Sequence, residues 1–252
     1  MSARPRVGLF VTCLVDLVRP QVGFAAVKLL EQSGCDVEVP ASQTCCGQPA
    51  WNAGADQHGK EIAQAVIAAF EGFDYVVAPS GSCAGMIKRH YPEMFEMDDA
   101  WLKRARALAQ KTHELMSFLV DVRGMAGVKA AFARKVCYHD SCSSLREMGV
   151  KAQPRALLGS VDGLSISELA DPQVCCGFGG LFSVKYPEIS ERMADDKIAD
   201  ACATGADTLV GGDLGCLLHL AGRMKRQGKT LQVRHAAEVL ADMGNDPALG
   251  DE

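Results

Sequence analysis

Short apolar runs alternate along this chain with longer stretches whose apolar residues recur at helical spacing, and the whole order occurs twice. Residues 6–11 read as a short buried strand. Residues 20–32 read as a helix: Val22, Ala25, Ala26, Leu29 and Leu30 make one apolar face, and Gly34 stops it. Strands are expected at 36–39 and 74–78, with an amphipathic helix between them that carries Ile62, Val66, Ala69 and Phe70 and ends near Gly72. Pro79-Ser80-Gly81-Ser82 then turns the chain, and residues 84–90 start the next helix. The second half gives strands at 136–139, 164–169 and 208–210. Residues 145–158 read as helix and loop, broken at Pro154. Pro187 suits the first turn of a helix along which Ile189, Met193 and Ile198 share a face. Segments 112–122 and 234–243 read as matched closing helices that start near His113 and His235. Residues 245–252 read as a frayed acidic tail. The alternation of strand and helix predicts an α/β fold. Two tandem repeated, three-layer-like lobes with mainly parallel sheets are expected, related by a pseudo-twofold axis. They are assigned to residues 1–126 and 127–252, joined near 124–130.

The cysteines repeat with the same period. Thr44-Cys45-Cys46-Gly47 has a second copy in Val174-Cys175-Cys176-Gly177. Cys13 precedes the first pair and Cys83 follows it; Cys142 and Cys216 frame the second pair in the same way. The shifts between copies are 129, 130, 130 and 133 residues, the mark of a duplicated unit. Eight of the eleven cysteines belong to it. Each framing cysteine follows a strand or opens a helix, which places it at the carboxyl edge of a parallel sheet, where open α/β folds build their sites. Helix N-termini there would help to hold thiolate charge. Four thiolates per half suit a tetrahedral zinc or an iron–sulfur cluster. Adjacent cysteines point their sulfurs apart, which suits several irons better than one small ion. The glycine after each pair lets the backbone approach whatever the sulfurs hold.

Other residues carry weaker signals. His139 and Asp140, just before Cys142, are the candidate catalytic residues: they could move protons or hydrogen-bond near a sulfur, or make an ordinary strand-end bond. Cys35, Cys137 and Cys202 read as buried small apolar residues. His113 and His235 read as helix-start residues, while His58, His90 and His219 carry no signal beyond position. Gly177-Phe178-Gly179-Gly180 lacks the spacing of a dinucleotide loop, and its glycines read as making room at the sulfurs.

Bulk properties narrow the setting. The 252 residues are 48% hydrophobic with a net charge of −5, which argues against a nucleic-acid partner. No apolar run has the length of a membrane span, and the first residues lack a signal peptide's apolar region. A cytoplasmic, reducing setting is therefore expected, in which eleven cysteines point to metal or redox chemistry rather than disulfides.

The cysteine pattern resembles the cysteine-rich "CCG" domain. That domain occurs in heterodisulfide reductase, in the iron–sulfur subunit of glycolate oxidase and in anaerobic glycerol-3-phosphate dehydrogenase. The short two-domain form, with Phe10-Val11-Thr12-Cys13, Cys45-Cys46-Gly47-Gln48-Pro49 and His139-Asp140-Ser141-Cys142, is most similar to the lactate-utilisation protein A family. The resemblance covers nearly the whole chain. It implies a cytosolic iron–sulfur subunit that works with other subunits in oxidising L-lactate to pyruvate, with the small 2-hydroxy acid handled at the level of the complex. The eight cysteines would hold the clusters, a [4Fe–4S] per half being the simplest count. A heterodisulfide-reductase-like thiol/disulfide activity, glycolate or another 2-hydroxy acid as substrate, and a zinc-stabilised scaffold are the alternatives. One departure weighs against the heterodisulfide reading. The family motif closes in C-x-x-C, but the partner position of Cys83 is Met86 and that of Cys216 reads as Asp213.

Overall fold

The computed structural model describes residues 4–251. Each half holds a four-stranded, all-parallel sheet. In the first, β1 (Arg6–Leu9), β2 (Asp36–Glu38), β3 (Tyr75–Ala78) and β4 (Thr112–Glu114) lie in the order β2-β1-β3-β4. In the second, β5 (Lys135–His139), β6 (Ser165–Ser167), β7 (Thr208–Gly211) and β8 (Gln232–His235) lie in the order β6-β5-β7-β8. The chain leaves β1 towards one side of its sheet and β3 lies on the other, so the switch point falls between β1 and β3; in the second sheet it falls between β5 and β7. Among the described residues, no helix is long and apolar enough to cross a membrane.

The helices follow the apolar stripes. α1 (Cys13–Val18) and α2 (Pro20–Gln32) succeed β1, and α2 buries Val22, Ala25, Ala26, Leu29 and Leu30. α3 (Gln48–Asn52) and α4 (Asp56–Phe70) cover the first sheet before β3. α5 (Gly81–Gly85) continues as a π-helical turn over Met86–His90, followed by α6 (Tyr91–Met94) and α7 (Asp99–Gln110). After β4 come α8 (Leu115–Ser117) and a second π turn over Phe118–Val122. The second half repeats the plan with α9 (Cys142–Arg146), α10 (Ala152–Leu158), α11 (Leu181–Lys185), α12 (Pro187–Ala203), α13 (Leu214–Arg226) and α14 (Ala236–Leu240).

Several expectations change. The segments expected as closing helices each begin as the fourth strand of a sheet. β4 is only Thr-His-Glu, and its polar letters hide a strand whose Thr112 and Glu114 are buried against β3. His113 therefore lies in a strand, while His235 does start a helix, as the N-cap of α14. Pro154 does not break a helix: it sits in the first turn of α10, where no backbone N–H is needed, and the interruption falls earlier, at Gly149 with φ of 68°. Cys202 is exposed, whereas Cys35 and Cys137 are buried. The acidic tail is docked over part of its length. Ala248 and Leu249 are buried, and Leu249 N–H donates to Val233 O at 2.9 Å. Residue 252 lies outside the described residues.

The lobes share one core. Val7, Leu9 and the buried stripe of α2 belong to the same apolar cluster as β5, β7 and α14. Arg19 and Glu238 form an ion pair across this junction at 2.8 Å, both fully enclosed, and Arg19 also donates to Pro247 O. Glu238 is held again from His235 N–H, closing a capping box on α14. On the far side α5 crosses α9 so closely that a Cβ on Gly81 would lie 2.7 Å from the Ser144 backbone, so only glycine fits. Glu114, at the end of β4, is buried. Desolvation pushes its carboxyl up to about 7, against the pull of the Ser117 and Met116 N–H groups.

Removing one member of the enclosed pair strands the other charge. Arg19→Met is expected to cost about 3–5 kcal/mol, measured by denaturant unfolding. A change under about 1 kcal/mol would mean that the pair behaves as a surface one. Glu114 carries a sign that can be checked. Its folded pKa lies above its ordinary 4.5, so the protonated carboxyl contributes stability that is complete below that pH and lost as pH rises through about 7. Relative to Glu114→Gln, the parent should lose up to about 3 kcal/mol between those limits. Parallel stability–pH curves for the two proteins would refute this.

Candidate metal centres

Each framing cysteine is placed by a strand-to-helix turn. Cys13 is the first residue of α1, with the Thr12 hydroxyl accepting from Val15 N–H. Cys142 opens α9 in the same way, with Ser141 accepting from Ser144 N–H. Cys83 and Cys216 each stand third in their helices, α5 and α13, after Ser80 and Asp213. All four thus sit where the carboxyl ends of the two central strands diverge. The paired cysteines come from the loops after β2 and β6. Gly47 and Gly177, which follow them, have φ of 82° and 87°, a left-handed conformation that side chains rarely adopt. A Cβ on Gly177 would lie 2.5 Å from Ser190 O in α12. These glycines let the loop turn against the following helix.

The turns bring the eight cysteines into two nests. Cys13 Sγ lies 3.9 Å from Cys45 Sγ, Cys45 contacts Cys46, and Cys46 contacts Cys83. In the second nest Cys142 contacts Cys175, Cys175 contacts Cys176, and Cys176 contacts Cys216. Gly177 N–H points at Cys175 Sγ and Phe178 N–H at Cys176 Sγ, both at 3.4 Å. Donation from the Cys13 thiol, and then from Cys46, pulls the Cys45 thiol well below its usual range; Cys142 and Cys176 do the same to Cys175. The same contacts, with burial, push Cys13 and Cys142 far up. In each nest the thiolate form is thus favoured at Cys45 or Cys175 and disfavoured at Cys13 or Cys142. Two sulfurs on one metal at bonds of about 2.3 Å stand about 3.8 Å apart, so the donor set fits a thiolate-bound metal or cluster.

His139 and Asp140 part company. His139 is enclosed, and among the described residues neither ring nitrogen has a hydrogen-bond partner. One of its nitrogens and the sulfurs of Cys176 and Cys216 all lie within 4.8 Å of one another. Burial, and then the nearby Lys197 charge, bring its pKa down to about 4, so the ring is neutral. Asp140 instead gives both oxygens to Arg155, at 2.9 and 2.8 Å, and Arg155 also grips Glu168. It is a structural clamp on the second nest's strand end.

Helix register also changes one alignment. Asp213 corresponds to Ser80, since both are N-caps three residues before the nest cysteine. Its carboxylate crosses to the other lobe, accepting from Ser80 Oγ and Ser82 N–H at 3.0 Å each. The residue that matches Met86 is His219, whose Nε2 meets Ser190 Oγ at 3.2 Å. Counting forward from Cys216 as from Cys83 reveals this in the sequence. Two clefts reach the nests. One, lined by Cys13, Cys45, Asp16, Leu17, Val39 and Gln43, opens on the first. The other runs between the lobes to Cys142 and Cys216, past Ser82, Ser141, Glu147 and Asp213.

A family profile for the "Cysteine-rich domain" (CCG) matches residues 7–88 and 136–221. "Lactate utilization protein A 2" of Bacillus cereus strain AH820 is 47% identical over 236 residues, covering 94% of this chain and 98% of that protein. "Lactate utilization protein A" of an Exiguobacterium species is 49% identical over 238 residues, covering 94% and 97%. Among solved structures, a hypothetical protein from Helicobacter pylori is similar over 100% of this chain with a TM-score of 0.66 at 12% identity, a likeness of fold. The chain spans 55% of that protein's length.

The charge pattern in the nests has a chemical signature. In reduced, metal-free protein at pH 6, iodoacetamide should label Cys45 and Cys175 before Cys13, Cys46, Cys142 and Cys176, as fragment-ion mapping of the peptides would show. Faster labelling of the framing cysteines would contradict the assignment of the thiolates.

Proposed function

We propose that this chain, which belongs to the cysteine-rich CCG family together with lactate utilization protein A, is an iron–sulfur electron-transfer subunit of a complex that oxidises L-lactate to pyruvate. The observation that carries this reading is the convergence of four sulfurs from three separated loops, twice, at the two sheet switch points. Identity of 47–49% along almost the full length of relatives named for lactate utilization supports the pathway.

Cys13, Cys45, Cys46 and Cys83 would hold one centre, and Cys142, Cys175, Cys176 and Cys216 the other. A bound iron–sulfur cluster supplies reversible one-electron chemistry. The chain's own groups set its conditions. The turns at Thr12, Ser80 and Ser141 present thiolates at helix starts, where backbone N–H groups offset negative charge. The Gly177 and Phe178 N–H groups do the same for the second pair. Burial of Cys46, Cys83, Cys176 and Cys216 keeps water from half of each ligand set. Cys13 and Cys45 line an open cleft whose rim carries Leu17, 79% exposed, and Val39, an apolar margin against which another subunit can seat within reach of the centre. The 2-hydroxy acid is assigned to the complex. Among the described residues, neither cleft is lined by the arginine or lysine that would grip a small carboxylate. The setting we assign is the cytoplasm.

Protein purified without oxygen should be brown and contain iron and acid-labile sulfide. Cys45→Ser and Cys175→Ser should each remove about half of the iron. With its partner proteins present, L-lactate should bleach the visible absorbance of this chain. Zinc in place of iron and sulfide would overturn the reading.

A further inference from the structure

The two halves place their nests on the same scaffold but surround them with different chemistry. Counting from the first cysteine of each nest, Phe10 corresponds to His139. Both are enclosed; the Phe10 ring packs on Phe70 at 5.5 Å between centroids, whereas both nitrogens of His139 lack partners. The buried stripe of α4 is Gly59, Ala63, Val66, Ile67 and Phe70, and that of α12, with the same spacing, is Ser190, Ala194, Lys197, Ile198 and Ala201. Val66 thus corresponds to Lys197, an enclosed ammonium that donates to Asp171 O at 2.7 Å and interacts electrostatically with Cys176. Met86 corresponds to His219. At each of these positions the first half is apolar and the second polar or cationic.

An enclosed imidazole without any hydrogen bond is costly, because each stranded polar group has given up water without gaining a partner. The first half shows that a phenyl ring satisfies the scaffold at this position. A histidine there needs a partner, and the sulfurs of Cys176 and Cys216 stand at a separation that places nitrogen and both sulfurs around one ion. His219 is different, because Ser190 already occupies its Nε2.

We propose that His139 is a nitrogen ligand of the second centre, so that this chain carries one all-thiolate site and one mixed thiolate–imidazole site. The inference builds on the metal-binding reading above and adds a donor to it. The Lys197 ammonium lies close by. Its positive charge favours the reduced, more negative form, so the second centre has the higher midpoint potential of the two.

The test is electron–nuclear double resonance on chain labelled with ¹⁵N-imidazole histidine and on natural-abundance chain, each carrying its own reduced centre. A second pair of samples is stripped of metal and loaded with Co²⁺. A strongly coupled histidine nitrogen is expected in both forms. It should vanish in His139→Phe, which installs the residue of the first half, and persist in His219→Met. Absence of a coupled nitrogen from fully loaded parent protein, or its persistence in His139→Phe, overturns the proposal while leaving the iron–sulfur function standing. Nitrogen coupling to Co²⁺ in a chain that takes up no iron upholds the ligand and removes the electron-transfer function instead.

Discussion

Gathering four sulfurs in one place is electrostatically unfavourable unless something supplies positive charge, and the structure is arranged around that constraint. Within each nest the neighbouring thiols donate towards Cys45 or Cys175 and favour its thiolate form. Backbone N–H groups at helix starts and at the Gly177-Phe178 turn supply the remaining positive edge. The parallel sheet makes this possible because the central strands end side by side, and their loops diverge to opposite sides. Sulfurs more than 30 residues apart in sequence meet there without a long buried loop.

The same constraint explains why the lobes are locked together. A nest built from three loops keeps its shape only if the strands that carry the loops do not shift. The central core runs through both halves, α14 packs on α2, and α5 crosses α9 at a glycine. The enclosed pair of Arg19 and Glu238 ties the start of α2 to α14 and to the docked C-terminal segment. Asp213 does a related job at the other contact. It leaves its own helix uncapped and instead holds the α5 turn that carries Cys83. The second lobe thus helps to position a sulfur of the first nest.

Duplication has conserved the scaffold and let the linings diverge. Strand order, helix starts, left-handed glycines and even the spacing of the buried stripe on α4 and α12 are shared. The linings are not: phenyl against imidazole, valine against lysine, methionine against histidine. Backbone geometry decides where sulfurs stand, and it tolerates little change. The groups behind the sulfurs tune charge and polarity and are free to differ, which is how one fold can hold two centres of unlike character.

Local pattern was enough to read the α/β order, six of the eight strands, the doubled cysteine set and its place at the sheet edge. Each of these depends on spacing along the chain: helical periodicity, short apolar runs, and a shift near 130 residues. Where polar letters occupy buried positions pattern misleads: β4, with its Thr112 and Glu114, reads as helix. The separate fates of His139 and Asp140, adjacent in sequence, belonged to tertiary structure. One lies beside the sulfurs of Cys176 and Cys216, and the other is gripped by Arg155 from α10. So did the meeting of Arg19 with Glu238, 219 positions away, and the reach of Asp213 into the other lobe. Periodicity records which face of an element is buried; what it is buried against is decided only when the elements close on one another.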